Sequence, residues 1–84
     1  MSYEVFVLRR AQKELAKLPR ADFERMRDMI ASLALDPRPT GCKKLVGRDG
    51  WRIRSGNYRA IFEIDDERRQ ITVLHVGDRK DIYF

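Results

Sequence analysis

The hydrophobic period of this sequence changes once, near its middle, and that change limits the chain to few architectures. Ala11, Leu15 and Leu18 recur at three- and four-residue spacing, as do Phe23, Met26, Ile30 and Leu33. That spacing gathers each set on one face of a helix. From Lys43 onward, apolar and polar residues instead alternate, the period of a strand with one covered face. Asp36-Pro37-Arg38-Pro39 stands between the two regimes. It ends the second helix and begins an extended loop. Pro19 separates the helices, since the residue before a proline is biased away from helical geometry. Asp22 then either caps the second helix or loads its first turn with negative charge. Met26 and Met29 fall on or beside the apolar stripe and are expected to pack in the core.

Tyr3 to Leu8 is β-branched and aromatic, and reads as a strand ahead of the helices. The later strands are Trp51 to Ser55, Tyr58 to Ile64 and Gln70 to Val76. Their separators, Ser55-Gly56-Asn57 and Asp65-Asp66-Glu67, are turn sequences. Gly77-Asp78 is expected to break the last long strand, and Asp81 to Phe84 to add a short final one. The order is β-α-α-β-β-β. Short connections make the later strands an antiparallel meander. The expected architecture is α+β: a two-layer domain with a helical hairpin packed on an antiparallel sheet. Eighty-four residues fit one domain spanning 1–84, and 43% hydrophobic residues suffice for its core.

Eighteen Lys and Arg against thirteen Asp and Glu give a net charge of +5, a balance suited to a polyanion or an acidic protein partner. The excess is local. Between Lys43 and Arg59 six bases (Lys43, Lys44, Arg48, Arg52, Arg54, Arg59) face one acid, Asp49. Alternation puts Arg52 and Arg54 on one face of their strand, with Trp51 and Ile53 on the other. Arg59 returns beside Arg54 after a short turn, and Arg79 could join from the end of the third meander strand. Guanidiniums gathered this way either lie solvated over apolar neighbours or form a bidentate phosphate site. The pattern leaves both open. Trp51 and Tyr58 are either base-stacking rings or covers for the core edge. His75, inside an apolar strand, reads as a structural histidine. With one cysteine, Cys42, and one histidine there is neither an internal disulfide nor a metal-ligand set. A reducing, cytoplasmic setting is expected, with no apolar run of membrane-span length.

Three segments carry a resemblance that extends along the whole chain: Lys44-Leu45-Val46-Gly47, Trp51-Arg52-Ile53-Arg54-Ser55-Gly56-Asn57-Tyr58-Arg59, and Val76-Gly77-Asp78-Arg79-Lys80-Asp81-Ile82-Tyr83. Together they resemble the RelE/ParE toxins, whose pattern is a K-L-x-G loop, a basic strand, a G-x-Y-R turn and strand, and a terminal R-x-x-x-Y. The resemblance implies a RelE-like fold and a toxin held inactive by a cognate RelB-like antitoxin. RelE-type members enter the ribosomal A site and cut mRNA by attack of the ribose 2′-hydroxyl on the adjacent phosphate, with no metal and no small-molecule cofactor. By position, Arg52, Arg54, Arg59 and Arg79 would hold and stabilise that phosphate, and Tyr83 would orient a base. Lys43, Lys44, Arg48 and Lys80 would contact the RNA backbone. One departure bears on mechanism. Well-studied RelE enzymes carry lysines where Arg52 and Arg54 stand, and arginine, with a pKa above about 12, is a very poor proton acceptor. ParE-type members of the same superfamily instead inhibit DNA gyrase without cutting, so the resemblance implies that activity as the alternative.

Overall fold

Strand β1 (Glu4–Val7) leads into helices α1 (Arg9–Ala16) and α2 (Arg20–Ser32), and four strands follow: β2 (Lys43–Lys44), β3 (Trp51–Ser55), β4 (Tyr58–Asp65) and β5 (Gln70–Asp78). These elements are seen in a computed structural model that describes residues 2–78. The expected final strand at 81–84 lies outside the described residues. The strands form one sheet in the order β1-β5-β4-β3-β2.

The meander is antiparallel as the turn sequences require, with Trp51 opposite Phe62 and Ala60 opposite Val76. Gly56, at φ +60, takes the first central position of the β3–β4 turn, where a two-residue hairpin of the II′ kind puts glycine. Three features differ from the sequence expectation. First, β1 runs parallel to β5 at the sheet edge, with Val5 opposite Ile71. Parallel pairing needs a long crossover, and everything from α1 to β4 intervenes. Second, β5 does not stop at Gly77-Asp78. It continues because Arg59 and Tyr58 on β4 still offer ladder partners there. Third, Lys43 and Lys44 pair with Arg52 and Trp51, so the loop after α2 returns to the sheet as a short edge strand.

The two helices cover one face of the sheet. Ala11 from α1, Met26 and Ile30 from α2, and Leu33 just beyond it pack on Ile53, Ala60, Phe62, Ile71, Val73 and Val76. Trp51 and Tyr58 join this cluster as partly buried rings, and Met29 lies at its margin. Pro19, not Asp22, occupies the N-cap of α2. Asp22 sits in the first turn, where a negative charge complements the helix dipole, and accepts from Arg25 at 2.8 Å. Phe62 is among the largest fully buried side chains.

One polar cluster ties the loop after α2 to the β4–β5 turn. Arg38 donates to both carboxylate oxygens of Asp66, at 3.2 and 2.8 Å, and the Tyr3 hydroxyl donates to the same carboxylate at 2.7 Å. The Arg38 guanidinium also stacks 5.0 Å from the Trp51 ring centroid. The hydrogen bonds from Arg38, then from Tyr3, hold the Asp66 carboxyl at about 2, below its ordinary 3.8.

Two outcomes follow from this architecture. Phe62→Ala should destabilise the protein by about 3–5 kcal/mol through the transfer and cavity terms, read as a lowered urea midpoint. Because folding depresses the Asp66 pKa, its contribution is fully present above pH 3.8 and is lost as pH falls towards 2. Melting curves of wild type and Asp66→Asn should therefore differ at neutral pH and converge as pH drops to 2.

Candidate nucleic-acid interface

The face of the sheet turned away from the helices carries the basic residues. Core residues Ile53, Ala60 and Phe62 claim the covered side, so alternation sends Arg52, Arg54 and Arg59 to the other. Lys43 sits directly opposite Arg52 in the ladder and Arg54 directly opposite Arg59, so all four project from the same side. They line, with Gly41, a concavity of about 210 Å³. Arg52 and Arg59 are half-buried, whereas Lys43 and Arg54 are exposed. The Nε atom of Arg59 is fully enclosed.

Each cation is held from a different direction. Arg54 donates through Nε to the carbonyl of Gly56 at 3.1 Å, so the hairpin turn aims its guanidinium. Arg59 projects from the middle strand, opposite Gly77, which has no side chain to crowd it. Lys43 depends on the two-residue pairing of β2. The side chains of Lys43 and Arg52 make no ion pair or hydrogen bond among the described residues. Beside them, Ile61 is only 1% exposed although it lies outside the helix-covered cluster. Its ladder neighbours are Arg52 and His75, long side chains whose apolar parts can shelter it.

Like charges opposite one another, as at Arg54 and Arg59, are destabilising, on the order of the 0.2–1 kcal/mol that favourable cross-strand pairs contribute. A bound polyanion reverses the sign. Guanidiniums suit it because their fixed fork matches phosphate oxygens two at a time. Among the described residues no carboxylate or imidazole lines the concavity, which suits it to an anion and to negative charge added there.

Known proteins resemble this chain in sequence and in fold. The family model described as the ParE toxin of the type II toxin-antitoxin system parDE matches residues 5–83. The chain is a type II toxin of the RelE/ParE superfamily. Toxin RelG of Mycobacterium tuberculosis is 31% identical to it, over 99% of this chain and 98% of RelG. Among solved structures, the archaeal RelE-RelB complex of Pyrococcus horikoshii has a chain that superposes with a TM-score of 0.84 at 28% identity, covering 98% of the toxin described here and all of that chain. A chain of the intact E. coli RelBE complex superposes at 0.78 with 30% identity, over 92% of this toxin and 96% of that chain.

The remaining expected site residues of the toxin are distributed unevenly. Arg79, Lys80 and Tyr83 lie outside the described residues. Lys44 is not with the arginines. Alternation turns it away from Lys43, and its Nζ donates to the carbonyl of Arg48 at 3.2 Å and lies 5.9 Å from the Trp51 ring centroid. Arg48 sits exposed in the loop between β2 and β3. His75 is half-buried, with Nδ1 3.7 Å from Glu14, whose carboxylate also accepts the Val76 N–H at 3.0 Å. It anchors α1 against the end of β5. Trp51 and Tyr58 serve as edge covers of the core. Sequence reasoning missed Gly41. Its φ of +91 and the open space around it leave the wall beside Lys43 low, and only the pairing of β2, invisible in so short a run, could have placed it. Among the described residues no cluster of potential metal ligands is present, and no helix is long and apolar enough to cross a membrane.

If the concavity is an anion site, Arg52→Met, which keeps an apolar stem over Ile61 and removes the charge, should leave the melting temperature in phosphate-free buffer unchanged or raised. The same change should remove most of the stabilisation that wild type gains from pyrophosphate, about 2.7 kcal/mol at a hundred times its Kd. Thermal melts with and without pyrophosphate read both effects.

Proposed function

We propose that this toxin is a ribosome-dependent mRNA endonuclease, held inactive in the cytoplasm by a cognate RelB-like antitoxin. The observation that carries the reading is the convergence of Lys43, Arg52, Arg54 and Arg59 on one concavity with no carboxylate among its described lining residues. RNA would run over the open face of the sheet with one phosphate among these cations, and Arg79 and Tyr83 would act from the segment after β5. The ribose 2′-hydroxyl attacks that phosphate, the bond to the 5′-oxygen of the next nucleotide breaks, and a 2′,3′-cyclic phosphate and a 5′-hydroxyl result.

Arginines cannot take the 2′-hydroxyl proton at neutral pH. Their part is to hold the phosphate in line and to stabilise the charge that grows on its oxygens, where preorganised donors contribute most. The ribosome supplies the geometry of the mRNA. The antitoxin reading is supported by the neighbours, which are RelB–RelE complexes from Pyrococcus horikoshii and E. coli. A small domain with net charge +5 suits an acidic or extended partner segment that masks the basic face.

A second reading, gyrase inhibition without cutting, draws on the ParE description of the matching family model. The cation cluster favours the first, since phosphate binding is what such a cluster does best.

Primer extension on mRNA after brief induction separates the two. Wild type should give breaks at ribosome-occupied codons, and Arg54→Ala or Arg59→Ala should lower their yield about a hundredfold or more, as loss of one transition-state donor does. Intact mRNA together with gyrase-trapped DNA breaks would replace the first reading by the second.

A further inference from the structure

The open face of the sheet changes sign along its length. On β4 the residues projecting from it are, in order, Arg59, Ile61, Glu63 and Asp65, because alternation puts every second residue there. The arginine end lies at the β3–β4 turn. At the opposite end a second concavity, of about 640 Å³, is lined by Asp49, Glu63, Asp65, Asp66 and Glu67, with Lys44 as the one base among its described residues. Two of these acids are engaged: Asp66 by Arg38 and Tyr3, and Asp65 by the N–H of Arg68 at 3.0 Å. The side chains of Asp49, Glu63 and Glu67 make no ion pair or hydrogen bond among the described residues. Both unneutralised cations and unneutralised anions therefore stand on one small sheet, separated by the buried Ile61.

We propose that Glu63, backed by Asp49 and Glu67, is an electrostatic boundary that confines a bound RNA strand to the arginine half of this face. The inference rests on the RNA reading above and adds what limits the length and register of the strand.

Distance decides what such a boundary can do. Two residues of strand advance about 7 Å, so Glu63 stands about 13 Å from Arg59 along β4. The Debye length at physiological salt is about 8 Å. Glu63 is therefore screened from a phosphate sitting among the arginines and barely alters its binding. A strand continuing straight along the sheet meets it differently, because its next phosphates would lie against Glu63 itself. The carboxylates thus penalise only long, straight binding. They turn the strand off the sheet beyond Ile61 and keep free RNA from being held along the whole face. A toxin meant to act on mRNA already shaped by another particle gains from weak affinity for extended free RNA.

The test compares two uncleavable 2′-O-methyl RNAs, a trinucleotide and a dodecanucleotide, by fluorescence anisotropy over a range of salt, with wild type, Glu63→Gln, Glu63→Lys and Arg52→Ala. Glu63 is exposed, and thermal melts check that each variant is folded. The boundary predicts that both Glu63 variants leave trinucleotide affinity unchanged. For the dodecanucleotide, Glu63→Lys should tighten binding roughly threefold to tenfold and steepen the salt slope by about 0.7 for each added phosphate contact, with Glu63→Gln intermediate. Equal effects on both lengths, or no effect on the longer one, would overturn the boundary while leaving the RNA site in place. Wild type that binds neither RNA, or trinucleotide binding indifferent to Arg52→Ala, would remove the RNA site and the boundary with it.

Discussion

Everything functional in this toxin depends on the burial of one face of a sheet beneath two helices. Met26, Ile30 and Leu33 press on Ile53, Ala60 and Phe62, and a strand has only two sides. Once Ile53 is committed to the helices, Arg52 and Arg54 have no choice of direction, and the pairing of β3 with β4 brings Arg59 alongside. A slip of one residue in that register would turn the arginines into the core and the isoleucine into water. The apolar layer is thus the device that aims the cations, although none of its residues touches the concavity.

That arrangement sets stability against function in a small chain. Arg54 and Arg59 oppose each other across the ladder with no carboxylate among the described residues of the surrounding wall. The protein tolerates the repulsion because the covered face supplies enough burial. Where polar groups serve the fold instead, they are fully matched, as when Arg38 and Tyr3 share the Asp66 carboxylate. Matched charges lie at the seams of the structure, whereas like charges stand side by side on the open face. This division separates scaffold from site more sharply than total charge does, and it agrees with membership of a superfamily of toxins.

Much of this could be read from the residues. The stripe from Phe23 to Leu33 identified α2, and alternation from Trp51 to Val76 identified three strands and the side on which Arg52, Arg54 and Arg59 emerge. These signals are local, set by the period of a single element. What escaped depended on pairing between distant segments. β1 shows its strand character in Tyr3 to Leu8, but nothing there announces that its neighbour is β5 or that it runs parallel. Lys43 and Lys44 are too few to display any period, so the strand that carries Lys43 to the concavity and sends Lys44 towards Trp51 was hidden. Gly77 looked like a breaker because glycine usually weakens a strand, yet the ladder with β4 carries β5 through it. Pro19 proved to be the N-cap of α2, a place where Asp22 had the better side chain but the wrong position.

The β2 segment has a mechanical consequence. Gly41 and Lys43 form one wall of the arginine concavity, and only two ladder positions fasten that wall to β3. A few residues earlier the same stretch is pinned by Arg38 to the turn between β4 and β5. The loop therefore behaves as a tether strung between the two poles of the sheet, fixed at its near end by backbone pairing and at its far end by a single guanidinium. Slack introduced at the distant knot would be felt as a change in the width of the cleft.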